Sequence, residues 1–269
     1  MGVVDLARKV LANPEMKGVD VDGAELLNVH RRTLARKRLM RDVFDEFYRL
    51  CIQLSEKHLA KDGLQVELGS GTSLFKEQLP GLITSDIKAS PHLDMVLDAQ
   101  VMGLQDATVA AFYGINCLHH LPKPRLFLAE LQRTLVPGGG CILIEPHHGN
   151  FSAFLHARMH AHEYFDPNAE RWETDDEGRN IMSGSNQALS YLIFVRDRKI
   201  FEQEFPQLEL VLLKPLANGS RYLLSGGLNF RQLLPDLMST PLKAMEKLLA
   251  PVRHQTALHH VVVLRKRMV

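Results

Sequence analysis

The segment that decides the fold is Val66-Glu67-Leu68-Gly69-Ser70-Gly71-Thr72, where an apolar run leads directly into a Gly-x-Gly turn. Glycine is needed where a backbone takes a positive φ or approaches a ligand closely. Free N–H groups at the start of a following helix favour a carboxylate or a phosphate. The pattern alone is also compatible with an ordinary tight turn between a strand and a helix, so the residues that follow must decide.

Polar residues end the strand-like runs that come after this turn. A helical stretch is expected directly after the turn, around residues 74–79. Short apolar runs then end at Asp86, Asp98, Asn116 and Glu145, and a helical run over residues 125–135 separates the last two. Strands that alternate with helices predict a parallel sheet with helices on both faces. Ligands bind beyond the carboxyl ends of such strands, where an acidic residue can accept hydrogen bonds from a ribose. Each carboxylate alone could instead cap a helix.

The composition places limits on the class of protein. The chain has 269 residues, 45% of them hydrophobic, and a net charge of +1, which suits one elaborated domain or a domain with a cap. The balanced charge argues against a nucleic-acid partner, and no apolar run reaches the roughly 20 residues that span a bilayer. Three scattered cysteines and no apolar signal core favour a reduced, cytoplasmic protein.

Five motifs occur in order within about residues 60–146: Glu67-Leu-Gly-Ser-Gly, Asp86, Asp98-Ala99, Ile115-Asn-Cys-Leu-His-His-Leu and Leu135-Val-Pro-Gly-Gly. Together they resemble the motifs of class I S-adenosylmethionine-dependent methyltransferases, and the last two resemble the type 11 subfamily. The chain departs from the family at Ser73, where a third glycine is common. The resemblance implies that Pro137-Gly-Gly is a structural turn that starts the next strand. The resemblance implies a Rossmann-like α/β fold with a mostly parallel seven-stranded sheet, helices on both faces and a helical cap.

The resemblance also implies a cofactor, S-adenosylmethionine, and the residues that bind it. These are Glu67, Gly69, Ser70 and Gly71 beneath the methionine part, Asp86 at the ribose, Ile87 beside the adenine, Asp98 and Ala99 at the adenine, and Asn116 and Leu118 on the methyl-donor side. A dinucleotide-binding loop would have a third glycine where Leu74 stands, so the spacing argues against a nicotinamide enzyme.

Three parts of the chain are expected on this basis. Residues 1–62 form an N-terminal helical segment, residues 63–146 form the cofactor-binding core, and residues 147–269 complete the fold. The last part is predicted to contain the final two strands, over 208–213 and 258–265, and insertions that cap the acceptor pocket.

Histidines supply the candidate catalytic residues, because a hydroxyl acceptor needs a base and histidine titrates near neutral pH. His119 and His120 follow the fourth strand, and His147 follows the fifth, so all three are expected at the ligand-binding edge. The alternative is that the first pair only stabilises its loop. No metal site is expected: His156 and His160 stand four residues apart, but no His-Glu-x-x-His motif or Asp/Asn cluster accompanies them.

The sequence therefore predicts an S-adenosylmethionine-dependent methyltransferase with a small-molecule, lipid-linked or glycan acceptor, with O-methylation ahead of N- or C-methylation. Apolar and aromatic residues of the cap could line the acceptor pocket or only pack the cap; they are Phe151, Phe154, Tyr164, Phe165, Trp172 and Tyr222. The alternative is a regulatory protein that binds the cofactor without turnover. The oligomeric state does not follow from the sequence.

Overall fold

The fold is built on a seven-stranded sheet. A computed structural model describes residues 10–20, 23, 25–71, 74–159, 163–174 and 185–268, with the side chains of 156–159 left out. The strands are β1 (Leu64–Leu68), β2 (Ile83–Asp86), β3 (Met95–Val96), β4 (Val109–Ile115), β5 (Leu135–Pro146), β6 (Leu208–Pro215) and β7 (His259–Lys266). Their order is β3-β2-β1-β4-β5-β7-β6, and β7 runs antiparallel to both of its neighbours. The predicted mostly parallel fold is confirmed.

Helices flank the sheet within the described residues. They are α1 (Glu25–Arg36), α2 (Arg38–His58), α3 (Pro124–Thr134), α4 (Asn150–Met159), α5 (Leu189–Tyr191), α6 (Arg198–Glu204), α7 (Gly219–Leu224), α8 (Ser239–Leu249) and α9 (Arg253–Thr256). A π-helical turn, Leu192–Arg196, joins α5 to α6. None of the helices in this described part of the chain is long and apolar enough to cross a membrane.

The two faces of the sheet carry separate apolar clusters, because successive side chains of a strand point to opposite faces. In β5, Leu143 packs on the face covered by α3 and by residues 189–205. Its neighbour Ile142 packs on the opposite face, against α2. Helices therefore cover both faces, as predicted.

Helix α2 belongs to the main core although it precedes the first strand. Its buried residues recur at helical spacing and form one apolar stripe, which includes Val43, Phe47, Cys51 and Leu54. This stripe lies on the sheet beside residues of β4 and β5. Residues 38–58 thus share a core with the strands that carry the candidate site.

Two local predictions need correction. The helix expected near residues 74–79 is only a single 3₁₀ turn, Phe75–Glu77. The turn expected at Pro137 lies inside β5, which continues through it with an irregular register against β4. Glycine is required here because a Cβ on Gly140 would lie 2.1 Å from the carbonyl oxygen of Leu264. The close approach of β7 thus requires a glycine directly after the last residue of the motif, Gly139.

Candidate functional site

The loop after β1 has the backbone conformation that its glycines predict. Gly69 and Gly71 have φ values of +62° and +49°, and a Cβ on Gly69 would lie 3.1 Å from the Cys117 sulfur. Ser70 anchors the loop to β2: its N–H donates to the Ser85 carbonyl over 2.9 Å, and its hydroxyl accepts the Ser85 N–H over 3.0 Å. These two bonds attach the loop to the neighbouring strand at Ser70.

Two carboxylates at neighbouring strand ends are held by backbone donors. Asp86 accepts the Gly71 N–H at Oδ2 and the Lys88 N–H at Oδ1, both over 3.1 Å. Asp98 accepts the Gln100 N–H over 2.8 Å. These bonds fix both side chains at the cavity wall and leave further lone pairs of each carboxylate for a ligand.

Glu67 is a third, deeply buried carboxyl at the end of β1. Its side chain lines the cavity, and Oε2 has no hydrogen-bond partner among the described residues. Burial and the charge of Asp86 raise the pKa of Glu67 to about 8, although a hydrogen bond from Ser70 opposes the rise. A buried carboxyl with a free oxygen suits a cationic group of a ligand.

One cavity of about 410 Å³ joins these groups. Every candidate cofactor-binding or catalytic residue from the sequence lines it except Leu118 and His147. The Leu118 side chain is fully buried behind the loop. His147 Nε2 lies 3.1 Å from the carbonyl oxygen of His254, and its Nδ1 lies 3.4 Å from Nδ1 of His260. The structure therefore does not bring His147 to the cavity as expected.

The other half of the cavity wall is mainly apolar, and sequence reasoning largely missed it. Helices α1, α2 and α7 and the segment after α7 contribute Leu26, Leu27, His30, Leu34, Phe44, Tyr48, Tyr222 and Phe230. Of the cap residues proposed from the sequence, only Tyr222 lies in this wall. Trp172 is instead buried in the core and donates to Asp197 over 2.8 Å. The sequence feature that could have indicated this wall is the pair Phe44 and Tyr48, which are four residues apart and so lie on one face of a helix.

Glu145, at the end of β5, organises the loop after β4. Its Oε1 accepts the N–H groups of Cys117 and Leu118 over 2.9 and 2.8 Å, and its Oε2 lies 2.6 Å from His119 Nδ1. Burial lowers the pKa of His119, but the charges of Glu145 and Glu163 and the bond to Glu145 outweigh it and raise the pKa. Sequence reasoning noted Glu145 only as the end of a strand.

Cys117 and His260 show no arrangement comparable to that of His119. Burial and the neighbouring carboxylates raise the pKa of the Cys117 thiol, so it lacks thiolate character. His260 is buried on β7, 2.6 Å from the Ser190 hydroxyl, which fits a structural role. The side chain of His156 and the whole of His160 lie outside the described residues, and so does Ser73.

Residues 66–143 match the family model described as "Methyltransferase domain". This segment is a methyltransferase domain. It contains β2 to β4, α3 and most of β1 and β5, and so carries the loops after β1, β2, β3 and β4. The helices of the apolar wall lie outside it. No curated protein matches the chain.

Solved structures with similar folds include a methyltransferase chain and two enzymes with named substrates. One is a chain from the Haloferax volcanii complex of the Trm112 methyltransferase activator with a protein named as a methyltransferase. It is 14% identical, the similarity covers 88% of the present chain and 97% of the other chain, and the TM-score is 0.47. Geranyl diphosphate C-methyltransferase from Streptomyces coelicolor has 12% identity, 96% and 91% coverage, and a TM-score of 0.46. A Haemonchus contortus phosphoethanolamine N-methyltransferase has 11% identity, 82% and 53% coverage, and a TM-score of 0.40. These values carry no information on the acceptor of this methyltransferase domain.

The residues present fit S-adenosylmethionine, the cofactor that the sequence motifs imply. The loop at Gly69 and Gly71 has no side chain to obstruct a ligand, and the Glu67 carboxyl has a buried oxygen without a partner among the described residues. Asp86 stands at the end of the adjacent strand with its carboxylate fixed. S-adenosylmethionine joins a cationic amino acid to a ribose: a buried carboxyl such as Glu67 suits the amino acid, and a carboxylate at a strand end such as Asp86 suits the ribose.

Proposed function

We propose that this chain transfers the methyl group of S-adenosylmethionine to the hydroxyl of a small-molecule, lipid-linked or glycan acceptor. The observation that carries the proposal is the single cavity with two unlike halves. The motif-bearing loops supply polar groups on one side, and α1, α2 and the segment after α7 supply an apolar wall on the other. The balanced net charge of +1 further supports a small acceptor over a nucleic acid.

The proposed cofactor roles are those that the sequence motifs imply, and the presence of these residues in the cavity wall supports them, Leu118 excepted. In this proposal Glu67 accepts hydrogen bonds from the amino group of the methionine part, above the loop at Gly69, Ser70 and Gly71. Asp86 binds the ribose hydroxyls. The adenine lies among Ile87, Asp98 and Ala99, and Asn116 faces the methyl-donor side. Leu118 acts from behind the wall, as packing under the loop.

When bound, S-adenosylmethionine supplies a methyl group already activated by its sulfonium. The chain must then hold the acceptor in line and exclude water, and such positioning can supply about 7–11 kcal/mol. His119 and His120 line the cavity and are the candidate bases for the acceptor proton. Glu145 engages Nδ1 of His119, which leaves Nε2 of that ring to face a substrate.

Calorimetry with S-adenosylmethionine and S-adenosylhomocysteine, with NAD as the control, tests the cofactor site. We expect both sulfur compounds to bind and NAD not to bind. A panel of hydroxylated, lipid-linked and glycan acceptors then tests turnover by release of S-adenosylhomocysteine. Failure of both sulfur compounds to bind would refute the proposal. Binding without consumption of the cofactor by any acceptor would instead support a regulatory protein.

A further inference from the structure

Three metal-ligating side chains converge at one place in the cavity wall. His119 and His120 lie in the turn after β4, and Glu163 lies in the segment after α4. One nitrogen of each ring and one carboxylate oxygen all lie within 4.8 Å of one another. His120 Nε2 and Glu163 Oε1 are 3.9 Å apart. Segments more than forty residues apart in sequence thus bring three donors to a common point.

Two of the three residues, His119 and Glu163, are each held in place by a further side chain. Glu145 Oε2 lies 2.6 Å from Nδ1 of His119 and so directs the other ring nitrogen, Nε2, away from itself. Gln187 Nε2 donates to Oε2 of Glu163, which leaves Oε1 on the side of His120. Histidines that bind metals almost always donate their second N–H to a carboxylate or carbonyl group. The pair His119 and Glu145 has this arrangement.

The spacing of the donors is close to that of a metal site. Ligand atoms around a tetrahedral zinc ion lie roughly 3.3 Å apart, given metal–ligand distances of about 2.0–2.1 Å. The separation of 3.9 Å between His120 and Glu163 therefore needs a contraction of about 0.6 Å. The other separations, all within 4.8 Å, need at most about 1.5 Å, which side-chain rotation can supply. Both side chains are partly accessible, 13% and 17% exposed, so an ion can reach them from the cavity.

We propose that His119, His120 and Glu163 bind a divalent transition-metal ion, with zinc the best match, whose open coordination positions face the cavity. Two imidazoles and one carboxylate form a ligand set typical of such ions and leave room for an oxygen of a substrate or water. The binding of the ion stands apart from the methyl transfer, and only its use toward an acceptor rests on the proposed function. With the ion bound, both histidines are ligands and neither is a free base.

The test is a calorimetric titration of chelator-treated, untagged full-length protein with ZnCl₂ alone. The unaltered chain should bind one ion. His120→Ala and Glu163→Gln should each weaken binding by at least about 10- to 100-fold. The matched controls are His92→Ala and Glu202→Gln, which change an exposed histidine and an exposed glutamate; both should bind zinc as the unaltered chain does.

Circular dichroism and thermal unfolding establish that each variant is folded. If neither site variant folds, the visible absorption of Co²⁺ on the unaltered chain decides: an intense band that zinc removes supports the site, and its absence overturns the proposal. Lack of stoichiometric zinc binding, or unchanged binding in the site variants, also overturns it. Calorimetry with S-adenosylhomocysteine on the same chelator-treated protein shows separately whether the cofactor site is intact, so the two proposals fail independently.

Discussion

Binding of the cofactor should release a proton from Glu67. Because burial raises the pKa of this carboxyl to about 8, about 0.9 of the chains hold it protonated at pH 7. A cation placed against the carboxyl favours its ionised form. Binding of S-adenosylhomocysteine, which carries an ammonium group, should therefore release about 0.9 proton per chain at pH 7 and about 0.1 at pH 9.

The assay is calorimetry in two buffers with different ionisation enthalpies, such as phosphate and Tris. The observed enthalpy changes with the buffer in proportion to the number of protons released. Glu67→Gln is the matched control, since it keeps the shape of the neutral carboxyl and cannot titrate. The variant should show no proton release and weaker binding. Equal proton release by both proteins would refute the assignment of Glu67 to the cationic group.

The same pKa predicts how stability depends on pH without ligand. The folded chain holds the proton of Glu67 up to a pKa of about 8, whereas the unfolded chain loses it near 4.5. The folded state therefore binds more protons between these values, and its stability is lost as the pH rises through this window. Relative to Glu67→Gln, the unaltered chain should lose about 3 kcal/mol between pH 4.5 and pH 7, measured by urea denaturation. A constant difference would contradict the raised pKa.

Three further predictions concern the site and the packing of the fold, and four substitutions test them. Asp86→Ala should weaken S-adenosylhomocysteine binding by about 10- to 150-fold in calorimetry, since a charged hydrogen bond contributes roughly 1.5–3 kcal/mol; unchanged affinity would remove Asp86 from the ribose site. Gly140→Ala should cost about 3 kcal/mol or more, because the new Cβ lies 2.1 Å from a carbonyl oxygen of β7. Gly81→Ala, whose Cβ meets no atom within 4 Å, should cost only the strain of its positive φ, about 1–2 kcal/mol; equal melting temperatures for the two variants would contradict the close packing. Glu246→Ala removes a carboxylate partner 2.6 Å from the buried guanidinium of Arg221. Urea denaturation should show a loss of about 3–5 kcal/mol in the free energy of unfolding; a loss under 1 kcal/mol would show that the other carboxylate partner of Arg221, Glu46, suffices.

The polar half of the cavity could be predicted because the topology alone brings it together. Asp86, Asp98 and Asn116 each follow a parallel strand, and parallel strands end at the same edge of a sheet. Their sequence positions therefore fixed their spatial proximity without any knowledge of side-chain contacts. All three line the cavity in the structure.

The places of Glu145 and His147 could not be predicted in the same way. Both residues come at or after the end of β5, but what each side chain meets depends on β7, which arrives more than a hundred residues later. The N–H of His147 donates to the Leu258 carbonyl over 2.8 Å, and its ring lies beside His260. Glu145, two residues earlier, instead reaches the loop at His119. Strand β7, the antiparallel neighbour of β5, comes late in the chain, so the sequence around β5 alone does not show which of these two side chains reaches the cavity loop.

The apolar wall was missed for a different reason. Phe44 and Tyr48 belong to α2, whose periodic apolar stripe predicts burial but does not identify the element that it meets. Tyr48 stacks on Phe75, with ring centroids 4.7 Å apart, so this helix lies against the turn that follows the cofactor loop. This contact joins a residue before β1 to a residue after it, so the local spacing of apolar residues cannot predict it.

The site therefore has two sources along the chain, and this division bears on specificity. The segment that matches a methyltransferase domain, residues 66–143, supplies the polar loops and both histidines of the cavity loop. The apolar wall comes from α1, α2 and the residues after α7, and Glu163 also lies outside the match. Because a cofactor common to many enzymes demands common contacts, the acceptor must be selected by the parts that are not common. The identity of the acceptor should accordingly change with substitutions at Phe44 or Phe230, which leave the motif-bearing loops intact.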